Sequence, residues 1–282
     1  MKNFGIFINP YLKDKEQIFD LLEEFSSIKA IQFFKPESQK NIIPGFVPEI
    51  SDQDEIDIIL VFGGDGTILR AVDFAVQAST PILGINMGNL GFLSESSVSE
   101  FSKSIDAVMN NKYTIQKRML LKIILKRNKE VVYSGLALND TVINKGQEPK
   151  LIDIKIYCNN RFVLETRCDG IIAATPTGST AYSLSAGGPI LSQVMDAIVI
   201  SPLNPHILSV RPMVFSASDN IRFIIKNTLK ETILNTDGKN SFFLQANDEI
   251  LVTAASEKVS FIKLSNRTFF QILRKKMHMG RQ

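Results

Sequence analysis

An α/β domain followed by a β-sandwich, with one helix closing the chain, is the fold class this sequence predicts. Three observations predict it. Strand and helix signals alternate over roughly the first 110 residues, strict apolar–polar alternation takes over near Met119, and helical spacing returns at Phe269–Met277.

In the first part, Phe4–Ile8 is a short apolar run ended by Asn9-Pro10 and reads as a buried strand. Ile18, Leu21, Leu22 and Phe25 repeat at helical spacing, and Ile28–Phe34 is a second strand candidate. From Lys35 to Glu55 three prolines, a glycine and many polar residues predict a surface loop. Asp57–Phe62 is the clearest buried strand, and Gly63-Gly64-Asp65-Gly66 ends it. Ile68, Leu69, Ala71, Val72, Ala75 and Val76 form the apolar face of the next helix. Ile82–Asn86 is another strand, and Val98, Phe101, Ile105 and Val108 mark another helix. Such alternation argues a parallel sheet covered by helices, of Rossmann-like type.

The pattern changes between Asn110 and Met119. Leu121, Ile123 and Leu125 alternate with polar neighbours, and Arg127–Glu130 reads as a turn before Val131–Tyr133. Ile152, Ile154 and Ile156 alternate again, with Asn159-Asn160 as a hairpin turn before Phe162–Leu164. Further strands are expected at Ile171–Ala174, Ala197–Ser201, Ile221–Lys226, Glu231–Leu234, Ser241–Gln245, Ile250–Thr253 and Val259–Leu264. Residues 1–115, 116–264 and 265–282 are therefore expected as the α/β domain, the sandwich and a closing helix with its tail, which returns to the first domain. Leu121–Leu264, read as a run of short strands, presents many edges that need covering, which favours self-association.

Composition bounds the chemistry. At 282 residues, 44% hydrophobic and 22% charged, the chain has the make-up of a folded globular protein. Its net charge of +3 is dispersed, so neither nucleic acid nor a membrane surface is an expected partner. No apolar run approaches the roughly 18 residues of a membrane span, and the first residues lack a signal-peptide pattern. Cys158 and Cys168 show no CxxC spacing and suit reduced thiols, so a cytoplasmic location is expected. His206 and His278 are the only histidines, which excludes HExxH zinc sites and histidine cages. There is no GxxxxGK[ST] and no GxGxxG after a strand, so phosphate chemistry must use another scaffold.

Three motifs carry that chemistry. Gly63-Gly64-Asp65-Gly66-Thr67 lies where a buried strand gives way to a helix. Glycines there let the backbone approach a ligand, helix N-termini attract anions, and a carboxylate can take the proton of an attacking hydroxyl. The alternative, Asp65 as a helix cap between turn glycines, explains DG alone but less well GGDGT at the carboxyl end of a sheet strand. The run Arg167–Gly188 leads a strand into Thr175-Pro176-Thr177-Gly178-Ser179-Thr180-Ala181-Tyr182, whose hydroxyls, glycine and aromatic suit a nucleotide. Connectors are usually Ser- and Gly-rich too, but this run is long and nearly free of charge after Asp169. Leu138-Asn139-Asp140 offers an amide beside a carboxylate, able to bind a base edge and a sugar hydroxyl, although Asn-Asp by itself is most often a turn.

Together GGDGT, LNDTVI and RCDGIIAATPTGSTAYSLSAGGPIL, in that order and spacing, resemble the bacterial NAD kinases. The likeness continues through SPLNPHILSVRPMVF and NTDGK to the closing helix. GGDG is shared with diacylglycerol-type lipid kinases and more loosely with phosphofructokinases, whereas the TPTGSTAYSLSAGGP run is far more specific. The resemblance implies transfer of the γ-phosphoryl of ATP to the 2′-hydroxyl of the adenosine ribose of NAD. It also implies a homodimer or homotetramer, with a site between the domains completed by a neighbouring subunit. By motif position it makes Asp65 the proton acceptor and Gly66 a dinucleotide contact. Arg70, Asn139, Asp140, Lys150, Arg167, Asp169, Thr180, Ala181, Tyr182, Ser183, Leu184, Ser185 and Asn204 fall on further dinucleotide-binding positions. Arg167 or Asp169 is expected to reach across the subunit interface. Asp140 stands where many members have Glu, and Lys239 where many have Gln, so Lys239 is left outside the set. His206 matches a family histidine and is read as structural.

Positioning and neutralisation of phosphate charge should supply most of the rate. Without a P-loop lysine, a divalent cation on ATP, Mg²⁺, is the expected neutraliser. It keeps several waters, binds phosphates and needs no protein cage, so no protein metal ligands are predicted. Two other readings compete: a lipid kinase sharing the glycine loop, and a non-catalytic NAD(P)-binding sensor. The nucleotide-like second run argues against the first, and an intact Asp65 against the second.

Overall fold

The computed structural model describes residues 1–27, 30–51, 53–88, 91–147, 149–228 and 230–278. The chain divides into two units, one made of Met1–Lys117 with Val259–Gln282, the other of Arg118–Lys258. No helix among the described residues is long and apolar enough to cross a membrane.

In the first unit, strands and helices alternate as β1 (Lys2–Ile8), α1 (Lys15–Ser26), β2 (Ile31–Phe34), β3 (Ile58–Phe62), α2 (Asp65–Gln77), β4 (Ile82–Asn86), β5 (Ser96–Ser97) and α3 (Phe101–Met109). The central order is β2-β1-β3-β4, all parallel, with β5 also parallel to β4. Helices on both faces explain why β3 and β4 are buried at every residue. Phe4, Ile6, Ile8, Leu60 and Phe62 pack with Ile18, Leu22 and Phe25 of α1 and Phe101, Ile105 and Val108 of α3. On the other face, Phe7 lies 5.5 Å from Phe74 of α2.

The segment after β2 is not the surface loop that its prolines and polar residues predict. Lys35 is buried, its ammonium donating to the carbonyls of Ile43 (3.2 Å) and Pro44 (2.9 Å). Its backbone pairs with Pro48 and Ile50, and Gln39 Oε1 accepts the Ile8 N–H at 2.9 Å. Ile43 and Val47 supply the apolar anchors, so the segment covers an open sheet edge.

The second unit contains β6 (Thr114–Arg127, its first residues in the first unit), β7 (Glu130–Ala137), β8 (Asp140–Asn144), β9 (Ile152–Cys158), β10 (Arg161–Cys168) and β11 (Gly170–Ala174). A single helical turn, α4 (Tyr182–Ser185), precedes β12 (Ala197–Leu203), β13 (Met213–Ser216), β14 (Ile221–Ile225), β15 (Ile233–Thr236), β16 (Asn240–Phe243) and β17 (Glu249–Lys263). One sheet runs β13-β12-β11-β8-β15-β16. The facing layer joins β10-β9-β14-β17, then β6 and β7. Side chains of both layers, among them Leu121, Ile154, Phe223 and Ile250 against Ile143, Ile171, Ile200 and Leu234, form one core.

The Asn159-Asn160 hairpin is as expected, both residues having φ near +50 to +60°, the conformation of a tight two-residue turn. One expectation is corrected. Ile250–Thr253 and Val259–Leu264 are parts of one strand, β17, whose 15 residues carry through a polar middle. Between β7 and β8 the chain bends at Leu138-Asn139, and Asp140 opens β8 in the centre of a sheet. The last residues of β17 belong to the first unit, where Phe261 pairs with Ile82 of β4. Thr268 then caps α5 (Phe269–Met277) in a box with Gln271.

Candidate active site

Asp65 is the first residue of α2, directly beyond the carboxyl end of β3. Its Oδ2 accepts the Phe92 N–H at 2.9 Å, and its Oδ1 accepts the Leu93 N–H at 3.1 Å. Those amides can come so close because residue 91 is glycine: a Cβ there would fall 2.0 Å from Asp65 Oδ1. The carboxylate is thereby fixed in rotation, half-exposed, and keeps further lone pairs for a substrate hydroxyl. Gly66 and Arg70 are exposed on the same helix. In the 91–94 turn, Ser94 Oγ accepts the Gly91 N–H at 2.7 Å.

Within the second unit, the predicted residues fall into two clusters. One surrounds the start of β8. Asp237 Oδ2 accepts the Leu138 N–H at 2.8 Å, and its Oδ1 accepts those of Asn139 (2.9 Å) and Asp140 (3.0 Å). The Asp140 carboxyl is buried, and burial pushes its pKa up to about 7, with the Asp237 charge adding to the shift. Burial also raises Asp237, against the pull of its three backbone donors. Thr175 closes the cluster: its N–H donates to the Asn139 carbonyl (2.8 Å) and its hydroxyl to that of Leu138 (2.5 Å). Gly178 must lack a side chain here, since a Cβ would lie 2.1 Å from the Asn139 carbonyl oxygen.

From Thr175 the chain enters the hydroxyl-rich run. Tyr182 (44% exposed) and Ser185 face solvent, and Thr180, Ala181 and Leu184 are half-buried. Ser183 is buried, its hydroxyl 2.9 Å from that of Ser201. Of the two serines in this turn helix, only Ser185 is therefore presented outward.

The other cluster lies at the opposite end of β11. There Asp169 pairs with Lys145 (2.7 Å) and accepts from Asn204 Nδ2 (2.8 Å), and these two partners hold its pKa below the usual carboxylate range. Arg167 is exposed and pairs with Asp153 at 3.0 Å, while the His206 N–H donates to the Arg167 carbonyl. Register pairs Ala174 with Asp140 and Gly170 with Asn144, so a five-residue strand separates the clusters, about 15 Å. Lys150 is exposed on the connector before β9 and joins neither.

Sequence reasoning missed Gly91 and Asp237 as site residues, and Lys145 as the Asp169 partner. Asp237 stood in the quoted NTDGK run, and its φ of +49° beside Gly238 marks the tight turn that lets it reach back to Leu138–Asp140.

Comparison with known proteins decides between the competing readings. Residues 16–113 match the ATP-NAD kinase N-terminal domain, and residues 138–264 match the ATP-NAD kinase C-terminal domain. An NAD kinase of Carboxydothermus hydrogenoformans is 40% identical over 232 residues, covering 82% of this chain and 83% of that protein. An NAD kinase of Pseudomonas putida is 34% identical over 264 residues, covering 92% of this chain and 89% of that one. Among solved structures, yeast NADH kinase complexed with NADH superposes with a TM-score of 0.88 at 26% identity, covering 100% of this chain and 89% of the yeast chain. An NAD kinase from Archaeoglobus fulgidus in complex with ATP shares the fold, with a TM-score of 0.73 at 24% identity, covering 99% and 100% of the two chains. Over both units, then, the chain belongs to the ATP-NAD kinase family and has that family's enzymatic activity.

Proposed function

We propose that this kinase phosphorylates NAD with Asp65 as proton acceptor. The 2′-oxygen of the adenosine ribose attacks the γ-phosphorus of ATP, the bond to the β–γ bridging oxygen breaks, and ADP leaves. The hydroxyl proton passes to the Asp65 carboxylate as the new O–P bond forms. A carboxylate is a weak base for a ribose hydroxyl, so its part is to orient the oxygen and take the proton late. The observation that carries this reading is the two-point grip of the Phe92 and Leu93 amides on Asp65, at a helix start beyond a sheet strand. Among the described residues no group of three or more His, Cys, Asp or Glu could hold a metal. A divalent cation, Mg²⁺, carried on the ATP phosphates would neutralise their charge there.

The dinucleotide is assigned to Asp65, Gly66 and Arg70 in the first unit and to Asn139, Asp140 and Thr180–Ser185 in the second. The opposite-end cluster of Asp169, Arg167 and Asn204 is assigned to the site of a second copy, in a homodimer or homotetramer. Its distance from Asp140 along β11 supports this, as do Ile207 and Leu208 (86% exposed), just beyond Asn204, which offer apolar surface to a partner. Lys150 is retained as a dinucleotide contact of the same kind. A cytoplasmic location suits the free Cys158 and the buried, free Cys168, whose thiol burial pushes up to about 12.

The test is Asp65→Asn, which keeps size and removes the proton acceptor. NADP formation is expected to fall by about 10²–10⁴ with circular dichroism unchanged. A folded variant within a few-fold of wild type would sink the assignment.

A further inference from the structure

The amides that aim Asp65 belong to a short segment whose own support comes from the far end of the chain. The Glu95 N–H donates to the Gly84 carbonyl at 2.9 Å, which pins the segment along β4. Glu95 is only 8% exposed, and its carboxylate is engaged on both oxygens. Oε1 accepts the N–H groups of Leu264 (3.1 Å) and Ser265 (2.8 Å) and the Ser265 hydroxyl (2.7 Å). Oε2 pairs with the Lys263 ammonium. A carboxylate withdrawn from water this far is tolerable only with such partners, so the contact is specific to residues 263–265. The Phe92 ring also meets Phe269 at the start of α5, 6.5 Å between centroids.

We propose that Glu95 is a positioning residue: anchored by Lys263, Leu264 and Ser265, it holds the Phe92 and Leu93 amides where they fix the Asp65 carboxylate. The C-terminal segment thereby belongs to the catalytic machinery without touching substrate. A stability bridge alone would not require the same few residues to carry both grips. Asp65 is held by residues 92 and 93, and the tether leaves from residue 95, with no turn of chain between them to absorb slack. This rests on the reading of Asp65 as proton acceptor and extends it.

Glu95→Gln keeps volume and one carbonyl acceptor but loses the charge facing Lys263. At saturating ATP and NAD, kcat is expected to fall about ten- to a hundredfold, with KM for each substrate within about threefold. Hydrogen exchange of the 91–95 segment should accelerate while that of β3 does not. Ser265→Ala, which removes one of four donors, should give the same signature more weakly, and serves where the glutamine variant folds poorly. In an Asp65→Asn background, Glu95→Gln should cost little more, because both act through one group. An unchanged kcat in both Glu95→Gln and Ser265→Ala overturns the proposal. So does exchange that rises equally in β3, or a full additive loss in the double variant. If Asp65→Asn itself retains turnover, the proton-acceptor reading has failed instead, whatever Glu95 does.

Discussion

Asp140 and Asp237 share one buried cluster, and burial raises both carboxyls. Three backbone N–H groups pull Asp237 back down, whereas burial and the Asp237 charge push Asp140 up to about 7. A protonated Asp140 can donate as well as accept, which widens its possible contacts with a ribose. The stability consequence has a definite sign. A carboxyl with its folded pKa raised contributes most below its unfolded value near 4, and that contribution is lost as pH rises through about 7. Asp140→Asn fixes the neutral form, so its melting temperature should exceed that of wild type at pH 8 by a few degrees, the gap closing toward pH 5. Thermal melts across that range check it; a gap independent of pH would contradict the raised pKa. Asp65 was legible in the sequence because its neighbours are glycines at a strand end. Gly91 and Glu95 were not, because GFLSE reads as an ordinary apolar connector. Their meaning arises from Asp65, 26 residues before Gly91, and from residues 263–265, about 170 after Glu95.

Among the elements, the turn helix α4 is where the proposed dinucleotide placement is most directly tested. Its first residue, Tyr182, is 44% exposed although the rest of the run from Ile171 to Ser179 is buried. A solvent-facing aromatic on a buried pedestal is suited to stacking, worth about 1–3 kcal/mol per base. Tyr182→Ala should therefore weaken NAD binding about tenfold by calorimetry without ATP, and an unchanged affinity would count heavily against this placement. Most elements of both units were legible from periodicity, since β3, β9 and α2 each bury the face their sequence marks. Two signals misled. Prolines hid the packed 35–50 segment, whose order depends on a buried lysine and a glutamine reaching β1. The polar stretch Ser256–Lys258 concealed the continuity of β17, which rests on pairing with β14 and β6. At the start of β8 the Asp140 N–H finds its partner in Asp237, far along the chain, which no local pattern announces.

For the whole molecule, the assignment of Asp169, Arg167 and Asn204 to a second copy predicts that activity depends on assembly. Light scattering over a dilution series should show a mass that is a multiple of 31.5 kDa, with specific activity falling as it dissociates. A fully active monomer at the lowest concentration would rule out a shared site. The division of the chain bears on timing as well. The first unit needs Val259–Lys263 to complete its sheet, yet the whole of Arg118–Lys258 is made in between. At about 5–20 residues per second, the N-terminal strands wait on the order of 10 s for their last neighbour. During that interval Glu95 has no Lys263, Leu264 or Ser265 to bind, and the Asp65 loop lacks its tether. A nascent chain that stops short of residue 263 thus carries Asp65 without the contacts that steady its loop. On the reading of Asp65 as proton acceptor, the tether that aims it can form only after residues 263–265 have been made.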